Sequence, residues 1–145
     1  MTMIKMRQQP DWLFQYEETL DTGETARIEY DKEGDTLEVF FADGSGKGLE
    51  LADEIVLRYE PKTDNPLSLI LLNYSHLIKP TEYGPESFRL NGMEHLPPSE
   101  RQKIMTMLTS TPLNRFLRVS ALALSSDETQ LVPITYVRQQ LAVAL

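Results

Sequence analysis

The 145-residue sequence contains no cysteine and no long apolar run. Without cysteine, the chain forms no disulfide, no thiolate nucleophile and no cysteine-ligated zinc or iron–sulfur centre. No apolar run approaches the roughly 20 residues that a membrane-spanning helix needs. The opening MTMIKMRQQP also lacks the apolar core of a signal peptide. We therefore expect a cytoplasmic protein with no membrane segment.

Basic residues are also scarce, because 14 Lys and Arg face 22 Asp and Glu, for a net charge of −8. The acid is concentrated in residues 11–90, which carry 18 Asp or Glu against 7 Lys or Arg. A surface of this sign repels nucleic-acid phosphates and favours a basic protein partner. A simpler interpretation is that the negative charge keeps a small domain soluble.

Residues 1–145 are expected to form a single domain, because 16.6 kDa is a common size for one hydrophobic core. Apolar residues alternate with polar ones along much of the first half, a pattern typical of half-buried strands. The segments with this pattern are Trp12 to Tyr16, Ala26 to Tyr30, Leu37 to Phe41, Leu49 to Tyr59 and Leu67 to Leu77. We predict an α+β fold in which these strands form an antiparallel β-meander, with C-terminal helical segments packed on one face.

The second half changes character after a connector, residues 79–99, that is rich in proline and glycine. Helical spacing begins at Pro98 and places Ile104, Met107, Leu108 and Thr111 on one face. Residues 113–124 fit a second helix, but residues 119–124 and 131–137 also fit a terminal β-hairpin. The periodicity leaves both open, and Pro133 favours an edge position for the last strand. We therefore expect residues 97–145 to form a helical and strand extension to a meander core at 26–77.

Signatures of catalysis and cofactor binding are incomplete. The loop Gly44-Ser45-Gly46-Lys47-Gly48 resembles a phosphate-binding loop, but it lacks the required spacing and the strand-to-helix context. We expect it to be a flexible hairpin loop between antiparallel strands. Asp31, Glu33 and Asp35 resemble the start of a calcium loop, but Ala42 stands where the closing glutamate belongs.

The two histidines, His76 and His95, are 19 positions apart and form no metal-binding spacing. No Gly-x-Ser-x-Gly motif accompanies them, and the carboxylates occur mainly in turns or at alternate strand positions. We therefore expect neither a cofactor nor an enzyme. An alternative is a sensor or enzyme for a small ligand or metal, with a site near His76 and His95.

The pattern Tyr30-Asp31-x-Glu33-x-Asp35-x-Leu37-x-Val39-x-Phe41 resembles the signature of the domain-of-unknown-function 2283 family. Residues 54–60 and 67–77 look like its next two elements, so the resemblance covers residues 26–77. It implies a small bacterial β-rich domain without established catalytic residues. Because members are similar to the antitoxins of small toxin–antitoxin pairs, it also implies an antitoxin-like neutraliser of a small basic protein.

From charge and resemblance together we predict a non-catalytic protein-binding module. Its partner-facing carboxylates are expected in turns and loops, where local turn chemistry is the simpler explanation for the first three. They are Asp31, Glu33, Asp35, Asp43, Asp53 and Glu54. A second hypothesis is a homo-oligomeric structural module in which Trp12, Phe14 and Tyr16, or the methionine and leucine face of the helix, pack against another copy. For both sets of residues, ordinary core packing is the simpler interpretation.

Overall fold

In a computed structural model, which describes residues 10–123 and 131–138, a six-stranded antiparallel sheet spans much of the chain. Buried apolar residues recur at every second position of three of its strands, Thr25–Asp31, Thr36–Phe40 and Ile55–Glu60, which is the period that the sequence predicts. The strands are β1 (Leu13–Thr19), β2 (Thr25–Asp31), β3 (Thr36–Phe40), β4 (Lys47–Ala52), β5 (Ile55–Glu60) and β6 (Asn65–Leu71).

The sheet consists of two three-stranded meanders, because its strand order is β1-β2-β3-β6-β5-β4. The first meander runs from β1 to β3 and the second from β4 to β6. They join along β3 and β6, where Leu37 faces Leu71 and Val39 faces Leu69. The predicted antiparallel β-meander and α+β class are therefore confirmed.

Two of the predicted strand limits are wrong. Residues 49–59 are not one strand, because the chain reverses at Asp53 and Glu54 and divides them between β4 and β5. Residues 67–77 are a strand only as far as Leu71, and a short helix, α1 (Tyr74–Leu77), follows. Asn73 has φ 53°, a left-handed conformation that turns the chain from strand into helix.

The Gly44–Gly48 loop also differs from the expected hairpin. It connects β3 to β4, but β6 and β5 lie between those two strands. The loop therefore crosses the end of the sheet. Gly46 is required there, because a Cβ at this position would stand 2.3 Å from the Tyr59 carbonyl oxygen.

A smaller three-stranded sheet resolves the alternative left open for residues 113–124. Most of this segment is strand β10 (Leu117–Ala123), which pairs with β11 (Leu131–Val137); only a 3-10 turn, Leu113–Arg115, precedes it. The second pairing partner of β11 is β9 (Phe88–Arg89). The connector before β9 holds a two-residue pairing of β7 (Pro80–Thr81) with β8 (Gly84–Pro85).

The edge position predicted from Pro133 is wrong, because β11 is the middle strand of that sheet. Leu90 donates its N–H to the Pro133 carbonyl at 2.9 Å. The reciprocal bond would need an N–H that proline lacks, and the Leu90 carbonyl accepts from Met93 instead, at 3.2 Å. The proline is thus tolerated at the point where the short strand β9 ends.

The hydrophobic core lies between the inner face of the large sheet and the elements that follow it. Helix α2 (Pro98–Leu108) begins at Pro98, as predicted, and buries Ile104, Met107 and Leu108. Thr111 lies beyond its end and is exposed. Phe116 is fully buried, with its ring 5.7 Å from that of Phe41. These contacts place one cluster of buried residues under both sheets.

Among the described residues, no helix is long and apolar enough to cross a membrane.

Candidate functional site

Two acidic turns lie at the same end of the six-stranded sheet. The register places Leu37, Leu71 and Ile55 side by side, so the β2–β3 turn and the β4–β5 turn both project beyond this row. Helix α1 lies between them: Tyr74 N–H donates to the Asp35 carbonyl and Leu72 N–H to the Glu54 carbonyl. We call this region, residues 31–36, 52–55 and 72–78, the acidic end.

Of the six carboxylates predicted to face a partner, the acidic end contains Asp31, Glu33, Asp35, Asp53 and Glu54. Asp43 is not with them, because it follows β3 in the loop at the opposite end of the sheet. Asp43 and Asp53 are exposed, and Glu54 is partly buried. The fold therefore divides the predicted set into one group of five and one separate residue.

The carboxylate of Asp31 shapes the β2–β3 turn. Its Oδ1 accepts from the backbone N–H groups of Glu33 and Gly34, each at 3.0 Å. A side chain that binds the backbone two or three residues ahead stabilises a turn. Glu33 is exposed at the tip. Turn chemistry therefore explains Asp31, whereas Glu33 keeps an exposed side chain.

Asp35 holds helix α1 against the hairpin. Its carboxylate accepts from the Ser75 hydroxyl at 2.5 Å, from the Ser75 N–H at 3.1 Å and from the Tyr30 hydroxyl at 2.7 Å. Burial acts to raise the pKa of Asp35, but hydrogen bonds from Ser75 and Tyr30 outweigh it and hold the pKa below its usual value. This carboxylate is thus occupied within the fold.

A cavity of about 300 Å³ opens beside the β4–β5 turn, between the two sheets. Ile55, Leu77 and Phe88 line it together with Asp53 and Glu54. Ile55 is 0% and Leu77 2% exposed, so Phe88 supplies most of the accessible apolar surface. The Glu54 Oε2 atom is buried and has no hydrogen-bond partner among the described residues. A buried carboxylate oxygen without a donor is costly, so the site favours the arrival of a hydrogen-bond donor or a cation.

Arg89 also lines this cavity, but its guanidinium is held by Glu94. The Arg89 Nε donates to Glu94 Oε1 at 2.7 Å, and Nη2 contacts the same oxygen. Both side chains are partly exposed, so the pair is screened by solvent. The carboxylates of Asp53 and Glu54 therefore dominate the charge of the cavity.

The histidines do not form a metal site in the described part of the chain, where no group of three or more candidate ligands occurs. His76 lies in α1 with its ring 6.3 Å from that of Phe88, and His95 is exposed in a loop. His76 is thus close to the cavity through Phe88, whereas His95 is a separate surface residue.

The aromatic row Trp12, Phe14 and Tyr16, which begins just before β1, belongs largely to the core. Phe14 and Tyr16 face inward and pack against the buried cluster, with ring centroids 6.2 Å apart. Trp12 keeps 40% of its surface exposed. The simpler interpretation of the row as core therefore holds for two of its three members.

A second charged surface covers the outer face of the large sheet. Glu29 faces Glu38 across β2 and β3. Partial burial raises the pKa of Glu38 and repulsion from Glu29 adds to this effect, while Ser68 and Arg58 act to lower it. Arg58 donates to the Ser68 hydroxyl at 3.2 Å. On this outer face, the charges of the acidic and basic side chains largely offset each other.

Two buried tyrosine hydroxyls predict opposite effects when they are removed. Tyr30 donates to Asp35, whereas the Tyr16 hydroxyl has no hydrogen-bond partner among the described residues. We expect Tyr30→Phe to lower the free energy of unfolding by about 1 to 2 kcal/mol, and Tyr16→Phe to leave it equal or higher. Urea titration of both variants measures this, and equal losses would contradict the assignment.

Both tyrosines also link stability to alkaline pH. Burial raises the pKa of each hydroxyl, with the charges of Glu18 and Asp35 adding to the effect at Tyr16 and Tyr30 respectively. Their contribution is complete below the unfolded tyrosine pKa of about 10 and is lost as the pH rises above it. The double phenylalanine variant should therefore lose less stability between pH 9 and about 11 than the parent.

No family model, no curated protein and no solved structure matches the chain. The resemblance of residues 26–77 to the domain-of-unknown-function 2283 family therefore stays a prediction.

Sequence reasoning missed the cavity and the occupation of Asp35. One partner of Asp35, Ser75, lies in α1, forty positions along the chain. Phe88 and Arg89 belong to the segment interpreted as a connector without periodicity. Of the residues that line the cavity, the sequence indicates only the pair Asp53 and Glu54, through their charge.

Proposed function

We propose that the protein is a non-catalytic protein-binding module whose acidic end contacts a basic protein. The observation that carries this proposal is the meeting of the Asp31–Thr36 and Ala52–Ile55 turns beside α1. Glu33 and Asp53 are exposed there, and no salt bridge of either side chain is found among the described residues.

An antitoxin-like role in the cytoplasm is the specific form of this proposal. A basic surface that binds nucleic acid can be blocked by a negative protein surface of matching shape. Attraction between such surfaces raises the association rate and weakens with salt. The family resemblance of residues 26–77 supports the same role.

The first test identifies the partner and its salt dependence. The tagged full chain is used to capture proteins from its host lysate at low and high salt, and the captured protein is then purified. We expect one small basic protein whose dissociation constant rises with salt. If the purified chain instead forms only a homodimer, the proposal fails and the homo-oligomeric alternative gains.

A pair of charge-matched variants tests the location of the surface. Glu33→Gln/Asp53→Asn removes two exposed charges at the acidic end, and Glu17→Gln/Glu24→Gln removes two exposed charges elsewhere on the same sheet. Both variants change the net charge equally. We expect the first to weaken binding of the purified partner about tenfold and the second less than about twofold. Equal weakening would show that only net charge matters.

Asp43→Asn provides a further comparison, because Asp43 was predicted to face the partner but lies at the other end of the sheet. We expect this variant to bind like the parent. A loss as large as that of Glu33→Gln/Asp53→Asn would contradict a surface confined to the acidic end.

A further inference from the structure

We propose that the cavity beside the β4–β5 turn is the anchor point of the interface and receives one lysine or arginine side chain of the partner, which pairs with Glu54. This inference rests on the proposed function and adds the recognition chemistry. It depends on three observations: the shape of the cavity, the unpartnered carboxylate oxygen and the fixed backbone of the turn.

The cavity combines apolar walls with negative charge. The Phe88 ring supplies the accessible apolar wall, over the buried residues Ile55 and Leu77, and the acidic residues Asp53 and Glu54 belong to the same lining. Lysine and arginine side chains combine the complementary properties, because each has an apolar stem and a positively charged head group. The Phe88 ring can also attract a cation placed over its face. A purely apolar side chain would match only the wall, and an acidic side chain would be repelled by Asp53 and Glu54.

Glu54 supplies the attraction. Its Oε2 is buried without a hydrogen-bond partner among the described residues, and the nearby Arg89 is held by Glu94. Because Oε2 lies below the cavity surface, binding requires the Glu54 side chain to turn toward the cavity. The missing hydrogen bond favours this movement, since an ammonium or guanidinium group satisfies a carboxylate that the fold leaves unpaired.

The backbone around Glu54 is already fixed. Leu72 N–H donates to the Glu54 carbonyl at 2.8 Å, and Ile55 is fully buried between β4 and β6. Only side-chain torsions therefore need to change on binding. A rigid frame reduces the entropy lost when the basic side chain is immobilised.

The first experiment uses small probes with the full-length protein. Nuclear magnetic resonance follows titrations with acetyl-arginine amide, acetyl-lysine amide and the uncharged acetyl-citrulline amide. We expect saturable shifts at residues 52–55 and 87–91 with the two cationic probes and none with the citrulline probe. Shifts that do not depend on charge, or that lie elsewhere, would overturn the inference.

The second experiment uses the purified partner. Glu54→Gln keeps the size of the side chain and removes its charge, and Glu33→Gln is its charge-matched control on the exposed hairpin tip. We expect Glu54→Gln to raise the dissociation constant at least about tenfold and Glu33→Gln less than about fivefold. Ser87→Leu narrows the cavity from an exposed position and should weaken binding while leaving Glu54 intact.

The outcomes separate the two proposals. If the partner binds Glu54→Gln and Ser87→Leu as tightly as the parent, the anchor is wrong and the acidic surface stands. If no basic protein binds but the cationic probes occupy the cavity, the site takes a free amine or guanidine and the partner side chain is excluded. If neither binds, both proposals fail.

Discussion

Replacing Gly92 with alanine is expected to lower the free energy of unfolding by about 3 kcal/mol or more. Gly92 belongs to the 3-10 turn Asn91–Met93, which packs against the edge strand β4. A Cβ at this position would stand 1.7 Å from the Glu50 carbonyl oxygen and 3.1 Å from that of Leu51. These are backbone atoms, so no side-chain rotation can relieve the overlap.

Gly48→Ala is the matched control, because it lies in the same edge strand and a Cβ there would meet nothing within 4 Å. Where alanine fits, the substitution stabilises a protein by up to about 1 kcal/mol through the unfolded chain. Urea denaturation of both variants measures the difference. If Gly92→Ala proves as stable as Gly48→Ala, the turn does not approach β4 as closely as described.

The Asn91–Met93 turn also covers β4, the edge strand of the large sheet. An edge strand exposes unpaired backbone groups that can pair with another molecule. At β4 a register shift between Glu50 and Ala52 accompanies the packed turn. Loosening this cover by Gly92→Ala should therefore also increase aggregation, which light scattering of the folded variant would detect.

The sequence was sufficient for the strands of the first meander and for helix α2. Their apolar residues recur at the strand or helix period, and Gly23, Gly34 and Pro98 mark boundaries. It was not sufficient at Asp53 and Glu54, because a turn without glycine or proline leaves little trace in composition. Helix α1 within residues 71–77 was predicted as strand, because a four-residue helix is too short to show helical periodicity.

The candidate site shows the same division. Negative charge is a local property, and it indicates the acidic residues of both turns, whereas position in a turn indicates only Asp31, Glu33 and Asp35. The cavity depends on the pairing of β9 with β11 and on the place of α1, which are long-range contacts. No pattern within either segment reports them. A carboxylate that accepts hydrogen bonds within the fold, such as that of Asp35, is consequently indistinguishable in sequence from one without such bonds.

Asp35→Ala is expected to lower the free energy of unfolding by about 3 kcal/mol, combining a lost helix cap with a buried donor left unpaired. The variant removes the acceptor for Ser75 and Tyr30, and Tyr30 is only 4% exposed. Asp35 also has φ 50°, which alanine adopts less readily than asparagine. Asp35→Asn should therefore cost only about 1 kcal/mol, since it keeps one oxygen acceptor and tolerates the backbone.

The pH dependence of stability separates the effect of the Asp35 charge from the effect of its backbone conformation. Because the folded pKa of Asp35 is lowered, its charged form contributes stability above the unfolded pKa of about 4. This contribution is lost as the pH falls through the lower folded pKa. The parent should therefore lose more stability between pH 6 and about 2 than Asp35→Asn does. Parallel stability curves for the parent and Asp35→Asn would contradict the capping role of the charged carboxylate. Equal stability of Asp35→Ala and the parent at pH 7 would contradict the hydrogen bonds of Asp35 with Ser75 and Tyr30 altogether.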